Sequence, residues 1–314
     1  MTIPFFRPNI DKLAAQRNVP RLLHIVRTAS LEDRIKALEA IGSIGDPCAI
    51  QQAVESLSDK SLSPAWDSAI RILRRLPRPD AAKVCAQIVT SDVEPELQEK
   101  VLSAALQGEA LWDVEEWVRI GTILAEKQRS ALAAACFDQA LAVLGSNKTL
   151  LRSIAFTLYD KSLPEYALRF FKRIAEIDPD DAGGWGGQSK CLLTLGRLKE
   201  AEHACRKALE IAPSYRPFKE CLATIYYEMQ EFKRMASLAR ELLREDPSDV
   251  KAHVMLSEAL IFAGELADAE AQVQEGLAKL MTASSADPAA LSILYLQLGI
   301  LRVMKGHEGA GECF

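Results

Sequence analysis

The sequence predicts an all-α protein, a superhelical α-α solenoid built of antiparallel helix hairpins, and three observations carry that reading. Apolar residues make up 49% of the 314 residues but aromatics only 6%. Ala and Leu are plentiful, and both lose little entropy in a helix and pack closely. Prolines recur at 179, 213 and 247, closing the runs AEIDP, LEIAP and LREDP, at an interval of 34 residues both times. That interval is the length of one helical hairpin with its turns. Small residues also recur inside the 34-residue frame where two crossing helices would touch, as close helix packing requires.

The elements follow in chain order. The start, MTIPFFRPNIDK, has a short apolar stretch interrupted by Pro4 and Arg7, without the apolar core and cleavage site of a secretory signal. NIDKLAAQRNVPRLLHIVR reads as an incomplete capping unit. Short helices are then expected at about 30–44, 47–58, 63–76, 79–91 and 94–107. In RIKALEAIGSIGDPCAIQQAVESLSD, the residues Gly45, Asp46 and Pro47 stop one helix and start the next. Ala37, Leu38, Ile41 and Ile44 give the first of these a helical apolar face. The helix at 94–107, followed by Trp112, is expected to join the two regions as a continuous core, since no Gly/Ser/Pro-rich tether separates them.

From residue 114 the 34-residue frame takes over, with units at 114–147, 148–181, 182–215, 216–249 and 250–283 and a partial unit at 288–314. The eighth position reads Gly121, Ala155, Ser189, Ala223, Ser257 and Gly299. The twentieth reads Ala133, Ala167, Ala201, Met235 and Ala269, facing the eighth across the hairpin. Leu124, Leu158, Leu192, Tyr226 and Leu260 take the eleventh position and fill the layer between hairpins. In KSLPEYALRFF, Ser162 is expected to cap the second helix with Glu165 completing a capping box, and Pro164 sits in the first turn.

Trp117, Ile120, Gly121, Leu124, Ala133, Phe137 and Ala140 resemble the tetratricopeptide repeat, as do Trp185, Leu192, Gly196, Ala201, Ala208 and Pro213. The resemblance covers about two-thirds of the chain. Lys219 and His253 stand where the family often has Trp, and Gly145 replaces the closing proline. Residues 1–113 resemble the HEAT-like repeats of the bilin-lyase type, chiefly on the segment around Gly45. Lyase activity does not follow, because a fold does not carry a function by itself.

Net charge is −5, divided as −1 for residues 1–113 and −4 for the rest. Neither half is a polycation, which argues against nucleic-acid binding as the main activity. No run of eighteen apolar residues appears, so no membrane span is expected. The seven cysteines (48, 85, 136, 191, 205, 221 and 313) are odd in number and form no CxxC pair, which suggests neither a disulfide framework nor a zinc site. A cytoplasmic protein with reduced thiols and no cofactor is the simplest expectation.

Candidate chemistry is sparse. His24, His203, His253 and His307 are scattered, without metal spacing or an adjacent nucleophile and carboxylate. His253 is expected as a partly buried, hydrogen-bonded ring, and Cys205 as an inert core residue. The other thiols have no activating neighbour in the sequence. GGWGG at 183–187 lacks the Lys-Ser/Thr of a phosphate loop and falls inside a helix. It either allows close helix packing or leaves a bare surface that admits a partner's backbone. Arg71, Arg74, Arg75 and Arg78 fall at i, i+3, i+4 and i+7, which puts a basic stripe along the end of one HEAT-like helix, a candidate site for anions or nucleic acid.

The tetratricopeptide resemblance implies a concave groove lined by the first helix of each unit. Its second, fifth, ninth, twelfth and thirteenth positions face a partner, among them Arg152, Phe156, Tyr159, Gly183, Gly186, Lys190, Tyr227, Lys251, Glu258 and Phe262. Aromatic anchors among mixed charges suit a peptide or a helical segment. Family members that clamp acidic carboxyl-terminal tails use a Lys, Asn and Arg set across three units. Here Arg152, Lys190 and Lys251 are isolated members without the asparagines, so that ligand is not expected.

The reading is therefore a non-catalytic protein-binding scaffold. The alternatives are an assembly or regulatory factor for a cofactor enzyme, acting through the HEAT-like region, and a nucleic-acid-associated protein acting through the arginines. The sequence stops at GECF inside what should be the second helix of the sixth hairpin. A homodimer contact or a downstream segment of a longer protein is expected to cover the apolar face left there.

Overall fold

The computed structural model describes residues 9–106, 112–282, 288–304 and 306. Among the described residues there are eighteen α-helices, one short 3-10 turn and no strand. They gather into two compact units, residues 1–147 and 148–314.

The first unit holds α1 (Ile10–Ala15), α2 (Val19–Thr28), α3 (Leu31–Ile44), α4 (Pro47–Glu55), α5 (Ser63–Leu73), α6 (Arg78–Thr90), α7 (Pro95–Leu106), α8 (Val114–Glu126) and α9 (Ser130–Leu144). Its boundaries follow local chemistry. The Ser30 hydroxyl accepts the Asp33 N–H at the start of α3. Gly45 ends α3 in the left-handed region at φ 76°, and the Asp46 carboxylate then accepts the N–H groups of Cys48 and Ala49 to open α4. The helices stack in two layers, with α3, α5 and α7 touching in one and α2, α4, α6 and α8 in the other. Ala37, Leu38 and Ile41 are fully buried, as their spacing predicts.

Trp112 is buried, donates from Nε1 to the Ala82 carbonyl at 2.8 Å, and meets the Trp117 ring edge-on at 4.4 Å. It thus ties the start of α8 to α6. The first hairpin of the 34-residue frame, α8 with α9, lies in this unit.

The second unit holds α10 (Lys148–Asp160), α11 (Pro164–Ile177), α12 (Ala182–Thr194), α13 (Leu198–Ile211), α14 (Arg216–Glu228), α15 (Phe232–Glu245), α16 (Val250–Ala263), α17 (Leu266–Thr282) and α18 (Pro288–Met304). Helices pair in order, and first helices of successive repeats also touch, α12 with α14 and α16 with α18. The eighth and twentieth positions do face each other: the Ser189 hydroxyl donates to the Ala201 carbonyl at 3.0 Å, with both residues fully buried. Met235, the outsized member, is 4% exposed. The second helix expected for the sixth hairpin lies outside the described residues, as do His307, Cys313 and the GECF end.

The hairpin turns share one backbone device. Gln128, Ser162, Gly196, Gln230 and Gly264, each 34 positions from the next, all take a left-handed conformation with φ between 59° and 80°. In every case the following N–H reaches back to the carbonyl of the eleventh-position residue, from Arg129 to Leu124 through Glu265 to Leu260, at 2.8–2.9 Å. This is the six-to-one bond that closes a helix through a left-handed residue. Ser162 is therefore a turn residue and not the expected cap. The residue preceding α11 is Leu163, which makes no capping bond. With its backbone held at φ 60°, Ser162 ends α10 and does not begin α11.

Candidate functional site

The first helices of the second unit, α10, α12, α14 and α16, carry the residues expected to line a groove. Phe156 is 44% and Phe262 51% exposed, large values for rings inside helices. Tyr159 and Tyr227 are half-buried, and Lys190 and Lys251 are exposed. These rings are held in place by neighbours. Phe156 packs edge-on against buried Phe171 at 5.2 Å, and the Tyr159 hydroxyl lies 3.2 Å from Thr194 Oγ1 on α12. Tyr227, Phe232 and Phe262 form a cluster with centroids 5.1–6.2 Å apart. Phe232 was not among the expected residues, because it opens a second helix and the groove rule reads only first helices. An aromatic directly after the left-handed turn was the available signal.

Glu258, four residues before Phe262 and so on the same face of α16, is half-buried. Burial pushes its carboxyl above the usual carboxylate range.

Two expected groove residues have other uses. The Arg152 guanidinium is 2.5 Å from the Asp181 carboxylate, whose other oxygen accepts the Gly184 N–H and opens α12. It joins α10 to the start of α12. Gly186 is buried, and a Cβ there would lie 2.1 Å from the Phe218 ring on α14. Gly187 meets the Phe171 ring in the same way at 2.3 Å, and Gly184 meets Ile174. These three glycines exist for close helix approach. Only Gly183, half-buried beside the Arg152 guanidinium, remains near the surface.

The arginine stripe does not form on one helix. α5 ends at Leu73, Arg74 follows as its cap, and Pro77 breaks the chain before Arg78 opens α6. A residue preceding proline is driven out of the helical region, so Leu76 cannot continue α5. Arg71 is engaged by Ser68 Oγ at 2.7 Å and by Glu39 at 3.7 Å.

The two substitutions of the family tryptophan have structural consequences. The Trp185 Nε1 donates to the Pro179 carbonyl at 2.8 Å, and His253 Nε2 occupies the equivalent place, 3.2 Å from the Pro247 carbonyl. His253 is 1% exposed. Lys219 is buried, with its ammonium 2.6 Å from Glu245 and 3.5 Å from Glu241. Each lines a cleft. A cleft of about 480 Å3 lies over Lys219 between α13 and α15, and one of about 320 Å3 over His253 between α15 and α17. Every residue lining the second lies 34 positions beyond one lining the first.

Cys205 is fully buried and its thiol donates to the Phe218 carbonyl at 3.1 Å. The adjacent Cys221 sulfur and burial push it up, so it remains protonated. Cys221 itself is 3.5 Å from Ser189 Oγ, a neighbour that the sequence did not reveal. Among the described residues no helix is long and apolar enough to cross a membrane.

Residues 182–215 match the tetratricopeptide repeat family, and residues 222–288 match it again. These segments are tetratricopeptide repeats. Protein STIP1 homolog of Dictyostelium discoideum is 33% identical over 112 residues, 35% of this chain and 20% of that protein. The chain therefore spans about a fifth of the length of that curated relative. Among solved structures, MamA 41-end from Desulfovibrio magneticus RS-1 is 22% identical with a TM-score of 0.48, covering 55% of this chain and 93% of that one. YrrB, described as a TPR protein with an unusual peptide-binding site, is 18% identical with a TM-score of 0.44, covering 55% and 86%. Tetratricopeptide repeats generally mediate protein–protein interaction.

Proposed function

We propose that this protein is a non-catalytic scaffold whose first helices α10, α12, α14 and α16 hold a peptide or helical segment of another protein. The observation that supports this is the set of rings at the groove positions. Phe156 and Phe262 keep about half their surface in water, yet each is fixed against neighbouring rings. Rings already held in place offer contact area with little further loss of side-chain entropy, as interface anchors do. The HEAT-like region of residues 1–113, whose helices stack in two alternating layers, extends the scaffold.

The test is affinity capture of partners by the whole protein from its native extract, repeated with Phe156, Tyr159 and Tyr227 changed to Ala. Partners retained by the parent should be lost by the triple variant while its helical circular dichroism is unchanged. Retention of the same partners by the folded variant would move the binding elsewhere.

A further inference from the structure

Resting on that groove reading, we infer that the α14–α16 end of the groove selects a partner segment carrying a lysine or arginine next to an aromatic or large apolar residue. Glu258 receives the cation, and the Tyr227, Phe232 and Phe262 cluster receives the apolar side chain.

The argument begins with a carboxylate in an unusual position. Glu258 is half-buried in α16 and has no hydrogen-bond or ion-pair partner among the described residues. Carboxylates withdrawn from water are normally paired, because an unpaired buried charge is costly. The same unit shows that pairing at its buried carboxylates: Asp181 with Arg152 and Asp249 with Arg216. Lys251, on the same helix, is seven residues away, about 10 Å along the axis. Among the described residues no cation is therefore paired with Glu258, which lies on the groove face.

The surroundings narrow the ligand further. Phe262 follows one turn later at 51% exposure, stacked on Phe232 at an interplanar angle of 18° and edge-on to Tyr227 at 5.5 Å. Glu228 follows Tyr227 and is exposed, adding a second negative charge. A guanidinium or ammonium suits both neighbours, since it pairs with the carboxylate and is attracted to ring faces. An acidic segment would place like charges together in a partly dry site, which is unfavourable.

The probe is a phage-displayed library of random dodecapeptides, selected on the immobilised full chain and in parallel on Glu258→Gln, Glu228→Gln, Tyr227→Ala and Phe262→Ala. The parent should enrich sequences with Lys or Arg within four residues of an aromatic or leucine. Glu258→Gln, which keeps shape and removes charge, should abolish the basic preference and weaken a selected peptide about tenfold, in the range of close charge pairs at interfaces. Glu228→Gln should change affinity by less than about twofold, because solvent screens an exposed charge. Phe262→Ala should remove the apolar preference. Selected peptides that depend on Tyr227 but show no basic excess, or an excess untouched by Glu258→Gln, would overturn the inference and leave the groove reading standing. An equal loss with Glu228→Gln would also overturn it, reducing the effect to the general field of the groove. No enrichment, or enrichment indifferent to Tyr227→Ala and Phe262→Ala, would remove both.

Discussion

Gly186 shows how one residue can look functional and be structural. Alanine is about 1 kcal/mol better than glycine inside a helix, so propensity alone predicts that Gly186→Ala stabilises α12. The Phe218 ring reverses the sign: a Cβ 2.1 Å from it forces α12 and α14 apart. Overpacking of this kind costs about 1–3 kcal/mol. Gly186→Ala should lower stability by about 1 kcal/mol in urea denaturation, and a gain would refute the close-packing account. Glu258 makes a pH-dependent case. Because burial raises its folded-state value above 4.5, the folded chain binds that proton more tightly than the unfolded chain. The ionised form therefore destabilises the fold at neutral pH, and the penalty disappears as pH falls through the raised value towards 4.5. Glu258→Gln should raise the melting temperature at pH 7, with the difference from the parent shrinking to nothing near pH 4. A constant difference at all pH values would exclude titration of this group as its cause.

At the scale of the hairpin, the turn fixes where each helix stops. Five turns use the same left-handed residue, yet Gln128, Ser162 and Gln230 occupy it where Gly196 and Gly264 do so freely. A side chain in that conformation costs roughly 1–2 kcal/mol, against about 0.5–1 kcal/mol of extra unfolded-chain entropy for glycine. Each of Gln128→Gly, Ser162→Gly and Gln230→Gly should therefore add about 0.5 kcal/mol. Gly196→Ala and Gly264→Ala should remove about 1 kcal/mol each, all measured by chemical denaturation. The period behind this was legible in the prolines, but the identity of the turn residue was not. Ser162 has the chemistry of a cap, but the bond from the following Leu163 N–H to the Leu158 carbonyl, five residues back, assigns it to the turn. The arginine stripe fails for a related reason, since a helical spacing implies a shared face only while the helix continues.

Across the whole molecule, stability is distributed among repeats that pack mainly on their neighbours, so the chain is not expected to unfold in a single step. Contacts concentrate within residues 1–147 and within 148–314. Trp66, Trp112 and Trp117 lie in the first unit and Trp185 in the second. In a Trp185→Phe variant, fluorescence reports the first unit alone, and circular dichroism reports both. The two guanidinium transitions should not coincide; superimposable curves would show a single cooperative system.

The sequence by itself determined the 34-residue period, the antiparallel hairpins, the small residues where helices cross and the bulky residues between layers. These depend on local spacing, which a repeat writes again in each unit. It also named Phe156, Tyr159, Tyr227 and Phe262 as candidate groove rings, through the positions that the tetratricopeptide resemblance implies. Only the tertiary structure decided which of those groove positions are available. Arg152 is taken by Asp181, Gly186 is covered by Phe218, and Glu258 has no partner among the described residues. Each outcome depends on what a neighbouring helix presents, and the pattern within one unit does not specify that side chain. Available and occupied groove positions therefore look alike until the hairpins are stacked.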